Sequence, residues 1–181
     1  SLIGIGIQGF YNAATNRMNQ KDTVRVYLRN ANAPYNIVDS AKNIIDSVLL
    51  SAQLVFPSIT PGTYYIQLKH RNSLETWSKA GGETYAAYTT LIYDFTTSAA
   101  NAYGSNQIQI DPSPLRFGIY SGDVDQNGVI NLSDLLLTYN SASAFETGYK
   151  NTDLNGDNIV DLTDITICSN NSNNFVSKVI P

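Results

Sequence analysis

The chain has 181 residues, a formal net charge of −4 and an isoelectric point near 4.7. That acidic balance, with no basic cluster longer than Lys69-His70-Arg71, argues against a nucleic-acid-binding surface, and no apolar run approaches the roughly 20 residues needed for membrane insertion. The length suits one medium domain followed by a small one, 1–120 and 121–181.

From Ser1 to Tyr120 the apolar residues recur with period two, the pattern of half-buried strands. They fall at Ile3, Ile5 and Ile7, then Val24, Val26 and Leu28, then Leu54 and Phe56. Tyr64, Ile66 and Leu68 follow, then Leu91, Tyr93 and Phe95, Ile108 and Ile110, and Leu115, Phe117 and Ile119. Turn chemistry at Asn30 to Pro34, Thr60 to Thr63, Gly81-Gly82 and Asp111 to Pro114 separates these runs at the spacing of an antiparallel β-sandwich. The opening SLIGIGIQ puts isoleucines on one face and nearly bare backbone on the other. It reads either as the first strand of its own sandwich or as a strand donated to a neighbouring subunit, which would build a homo-oligomer or filament. The stretch PGTYYIQLKH, with VYLRN before it, resembles the prealbumin-like, Cna-B-like or Ig-like sandwiches of bacterial surface proteins, a resemblance that implies no catalytic residues.

Catalysis finds little support in this part. His70 is the only histidine, no nucleophile-elbow sequence exists, and the imidazole reads as a strand-end group bonded to its loop. Asp39, Asp46, Glu75, Glu83 and Asp94 form no carboxylate pair legible in the sequence. We therefore expect no enzyme. The 12 tyrosines and Trp77 would suit sugar stacking, although aromatic residues also favour strands and sandwich cores.

The connection LRFGIY runs almost directly into Ser121-Gly122-Asp123, so the two parts should dock rigidly. Next come two acidic loops, DVDQNGVINLSD and DLNGDNIVDLTD. A hard divalent cation needs six to eight oxygen ligands, which a loop supplies when carboxylates and amides recur on alternate residues. In the first loop Asp123, Asp125 and Asn127 stand at positions 1, 3 and 5, the Val129 carbonyl at 7, Asn131 at 9 and Asp134 at 12. The second repeats the series with Asp153, Asn155, Asp157, Ile159, Asp161 and Asp164. The expected cargo is two calcium ions (Ca2+). Gly128 at position 6 permits a left-handed turn, and Asn158 in its place is the next best tolerated residue. Ile130 and Val160 would let the loops pair back to back. Each loop precedes a helical stripe, Leu132, Leu135, Leu136 and Tyr139 in one and Leu162, Ile165 and Ser169 in the other. The second helix carries the single cysteine, Cys168, which reads as a small buried hydrophobe.

A shift of 30 residues carries Asp123 onto Asp153, Leu132 onto Leu162, Asn140 onto Asn170 and Phe145 onto Phe175. With aspartate rather than glutamate at position 12, this duplication resembles a type I dockerin over Ser121 to Pro181. The resemblance implies a calcium-dependent fold and a cohesin-like partner met through positions 10 and 11, here Leu132 with Ser133 and Leu162 with Thr163. Leucine at position 10 reads more simply as packing, and no lysine or arginine follows on either stripe. The expected fold is mainly β with a small α part: an antiparallel β-sandwich followed by a duplicated calcium-loop and helix module. A surface poor in Lys and Glu, together with calcium chemistry, points to a secreted, extracellular or cell-surface protein. Ser1 reads as a processed or trimmed start. The leading functional expectation is a non-enzymatic, self-assembling structural subunit. Behind it stand a docking module of a larger secreted enzyme and a carbohydrate-binding module.

Overall fold

The computed structural model describes Ser1 to Pro181 and carries twelve strands followed by two helices. The strands are β1 Leu2–Gly4, β2 Tyr11–Asn12, β3 Arg17–Met18, β4 Asp22–Asn30, β5 Ile37–Ile45, β6 Ser51–Gln53, β7 Gly62–His70, β8 Ser73–Trp77, β9 Glu83–Tyr85, β10 Ile92–Asp94, β11 Ile108–Pro112 and β12 Leu115–Gly118. The helices are α1 Leu132–Ser143 and α2 Leu162–Asn173.

Alternation explains β4: Val24, Val26 and Leu28 are wholly buried while Thr23 and Arg25 face outward. It pairs antiparallel with β5 on one side and β7 on the other, and β8 and β9 extend the sheet from β7. A second sheet has the order β10-β1-β6. Here β1 runs antiparallel to β6 but parallel to β10, with Ile3 opposite both Ala52 and Tyr93. Two sheets facing one apolar core make a β-sandwich.

The N-terminal strand thus pairs within its own chain. Ile3, Ile5 and Ile7 are fully buried in the main cluster, each contributing about 1.5–3 kcal/mol by leaving water.

Several elements escaped the period-two pattern. β5 is an edge strand with Ile37 and Ile44 exposed, so it has no apolar face to alternate. β8 is buried along its whole length although its sequence is SLETW, because it lies under the chain that follows Tyr120. Leu115, expected to point inward, is exposed on the two-stranded ribbon β11-β12.

The main cluster draws only on residues up to Ile119. A smaller one joins Val124, Ile130, Leu154 and Cys168 to Leu74 of β8. Residues beyond Tyr120 therefore complete their core with a side chain borrowed from the sandwich.

Candidate metal centres and the helical face

Both loops wrap inward through local bonds. In the first, Gly128 N–H donates to both Asp123 carboxylate oxygens at 3.2 and 3.1 Å, Asn127 N–H to Asp125 at 3.0 Å, and Val129 N–H to the Asn127 side chain at 2.8 Å. In the second, Gly156 and Asn158 donate to Asp153 at 2.8 and 3.2 Å, and Ile159 donates to Asp157 at 2.8 Å. Gly128 has φ +90° and Asn158 φ +67°, the left-handed turn expected at position 6.

Asp134 and Asp164 close the loops from the first turns of α1 and α2. Asp134 accepts from the backbone N–H groups of Val124, Asp125 and Asn131 at 2.8, 3.1 and 3.0 Å, and Asp164 accepts from Leu154, Asn155 and Asp161 at 2.6, 3.2 and 2.9 Å. Carboxylate oxygens of Asp123, Asp125 and Asp134 gather within 4.8 Å of one another. Burial, followed by the charges of Asp134 and Asp125, pushes Asp123 up to about 6. Asp164 rises to about 6 and Asp153 also rises, each mainly through burial. Only the first loop brings three carboxylates this close; in both loops the candidate donors are oxygens without histidine or thiol, the set a hard ion prefers.

Not every expected ligand turns inward in the same way. Asn131 and Asp161 each use one side-chain oxygen to cap a helix, accepting from Ser133 and Thr163 at 2.7 Å. The carbonyls of Val129 and Ile159 accept no protein hydrogen bond.

The expected ladder between the loops does not form. Ile130 N–H donates to Val176 and Lys178 N–H to Gly128, so the first loop pairs with the chain beyond α2. Val160 donates to Glu146 and Gly148 to Asn158, so the second loop pairs with the chain beyond α1. The cause is the left-handed residue after each helix, Phe145 and Phe175, both at φ +53°, which turns the chain back across the other repeat's loop.

The helices also invert the expected orientation. Their buried residues are Asp134 and Thr138 in α1 and Asp164, Cys168 and Asn171 in α2. Burial pushes the Cys168 thiol up to about 12, far from a reactive thiolate. The leucines instead face solvent, Leu132 and Leu162 each 72% exposed. Position 10 is therefore not a packing position. Leu132, Leu135, Leu136, Tyr139 and Ile165 line an apolar groove of about 260 Å³ between α1 and α2. Phe145 and Phe175 stand out at 87% and 86% exposure, in matching places on the two repeats.

The sandwich grips the loop region through residues that sequence spacing does not single out. Asn72 donates to the Asp153 carbonyl at 2.7 Å, Asn19 to the Asn155 carbonyl at 2.8 Å, and Asn171 to Ser121 and Gln8 at 2.7 and 2.6 Å. Asp22 receives Arg71 Nε at 2.8 Å and the Tyr149 hydroxyl at 2.6 Å. These bonds join the residues beyond Tyr120 directly to the sandwich, where the short linker predicts docking.

Around His70 the structure assembles what the sequence reading found no place for. Ser73 Oγ lies 2.9 Å from Nδ1 and Asp22 Oδ2 lies 3.2 Å from Nε2. The two-residue turn Arg71-Asn72 sets Ser73 across from His70 and was the available signal. All three side chains are buried, and Ser73 is fully sealed from solvent. Burial lowers the His70 pKa despite the opposing pull of Asp22, so the neutral imidazole is a core group. Trp77 is only 5% exposed, its indole N–H given to Glu75 at 2.7 Å, and offers no face for a sugar.

Fold and site together define a mainly β protein with an oxygen-lined double loop and an open helical face. Two solved structures share this fold over nearly the whole chain, both mutants of a type II Cohesin-X-Dockerin complex from Acetivibrio cellulolyticus. A chain of the C-terminal interface mutant matches with a TM-score of 0.55 and 19% identity, covering 98% of this chain and 95% of that one. A chain of the N-terminal interface mutant matches with a TM-score of 0.54 and 18% identity, covering 99% and 97%. No family model and no curated protein matches the chain. No helix is long and apolar enough to cross a membrane.

Proposed function

We propose that this chain is a non-enzymatic, extracellular docking module in which two calcium ions hold a dockerin-like double loop against a prealbumin-like, Cna-B-like or Ig-like sandwich. The apolar face of α1 and α2 binds a cohesin-like partner protein. The observation that carries this reading is the outward leucine stripe, with buried polar residues behind it, since a contiguous exposed apolar groove on a folded surface marks an interaction site. The similarity to chains of Cohesin-X-Dockerin complexes supports it. So does the sealed His70 network, which gives a substrate no access to Ser73.

Docking is favoured over the self-assembling filament suggested by SLIGIGIQ, because that strand already has partners on both edges. Pull-down with cohesin-bearing proteins in millimolar calcium tests the proposal. Capture should disappear with chelator and with Leu132→Lys combined with Leu136→Lys, both at exposed positions where the melting temperature should stay close to the parent's. Capture that survives both, or none by the parent chain, would overturn it.

A further inference from the structure

The register across three strands sets Lys42 of β5 opposite Arg25 of β4, and Arg25 opposite Lys69 of β7. Cross-strand partners share a face, so three cations stand in a row on the outside of the sheet, about 4.8 Å from strand to strand. Like charges placed directly opposite destabilise a sheet, and the chain as a whole carries −4. Lys69 is compensated by Glu75 at 3.1 Å. Arg25 and Lys42, both exposed, have no carboxylate within salt-bridge distance.

This row forms one wall of a cleft of about 370 Å³ at the seam between the sandwich and the loop region. Gln126 of the first loop and Tyr149 also line it. Tyr149 has one ring face against the Arg71 guanidinium, 4.3 Å from the centroid, and remains 61% exposed. Tyr27 stands two residues from Arg25 on the same face of β4 and lines the same cleft. No aliphatic side chain does.

We propose that this cleft binds a uronate-bearing oligosaccharide, a function independent of the helical docking face. Arg25 and Lys42 receive the carboxylate, the guanidinium through a paired donation that a planar acid accepts. Tyr149 offers the ring face opposite Arg71, and Tyr27, with Arg29 6.0 Å from its centroid, flanks the sugar ring. Thr23 and the Gln126 side-chain oxygen, its amide nitrogen being given to Ser73 and Asp123, meet the sugar hydroxyls. An acidic peptide would find no apolar pocket for its anchor side chains. A long polyanion would meet the repulsion of a net-negative protein.

Calorimetric titration in calcium would use a glucuronate-bearing xylo-oligosaccharide and the same oligosaccharide without its acid. Binding of the acidic form should weaken as salt rises, and the neutral form should bind about tenfold or more weaker. The double variant Arg25→Gln, Lys42→Gln should lose about tenfold or more of the affinity while melting no lower than the parent, since it relieves like-charge contacts. Equal binding of the neutral sugar, no binding of the acidic one, or unchanged binding by the variant overturns the proposal. So does competition of equal strength by polyglutamate or by inorganic phosphate.

Discussion

Arg71 Nη2 of the sandwich lies 3.8 Å from Asp153 Oδ2, the first carboxylate of the second loop. The same guanidinium donates through Nε to Asp22 and stacks on Tyr149, so one buried cation joins the sheet to the loop that would hold an ion. Asn72, the next residue, fixes the Asp153 carbonyl.

Removing that cation should be costly. Burial alone would raise the Asp22 carboxyl, but the adjacent His70 imidazole and the hydrogen bonds from Tyr149 and Arg71 hold it well below the usual carboxylate range. Arg71→Ala leaves a buried charge short of its partner, a loss of about 3–5 kcal/mol. Calorimetric melting in calcium checks this, and Arg71→Lys, which retains the charge without the planar fork, should fall between.

Calcium should stabilise the protein more strongly as pH rises. Asp123 and Asp164, near 6, and the raised Asp153 bind protons more tightly folded than unfolded. The contribution of Asp123 and Asp164 to the ion-free fold is complete below pH of about 4 and is lost as pH climbs through about 6, and Asp153 acts in the same direction. The bound ion needs the same carboxylates ionised. His70 acts oppositely, since its lowered pKa costs stability as pH falls below about 6.5. Melting curves in calcium and in chelator from pH 4.5 to 7.5 share that effect, so their difference isolates the loops. The difference should widen with pH; a flat one would show that these carboxylates hold no ion.

Exposed and buried leucines of the loop region should separate cleanly. Leu132→Ser or Leu162→Ser should change stability by no more than about 0.5 kcal/mol, while Leu154→Ala, at a fully buried site, should cost about 2–5 kcal/mol. Urea unfolding distinguishes them. A helical stripe of leucines was legible in the sequence, but not that Leu132, Leu136 and Leu162 on it face water. Periodicity gives a face and not its direction, and here Asp134, Thr138, Cys168 and Asn171 occupy the inward side.

The first strand can be located by cross-linking. Ile3 and Ala52 are register partners across β1 and β6, so Ile3→Cys with Ala52→Cys should oxidise to a disulfide within one chain. A non-reducing gel should show monomer. A ladder of linked chains would place the strand in a neighbour and restore the filament reading.

Position 6 of each loop offers a backbone test. Gly128→Ala meets both φ +90° and the Lys178 side chain, and should destabilise by about 1–2 kcal/mol. Asn158→Gly, at φ +67°, should be tolerated with calcium binding retained. Calcium titration followed by circular dichroism reads both.

By itself the sequence determined the strands that alternate, the alternate-residue spacing of loop oxygens, the left-handed turn at position 6 and the helix after each loop. These are short-range signals, set by the periods of two and 3.6 residues and by the steric limits of single residues. Only the tertiary structure decided that each loop pairs beyond the other repeat's helix, that Asp22 and Ser73 meet His70, that Leu74 completes the second core, and that Lys42, Arg25 and Lys69 align. Each of these rests on which distant segments pack together, and local spacing carries no record of that choice.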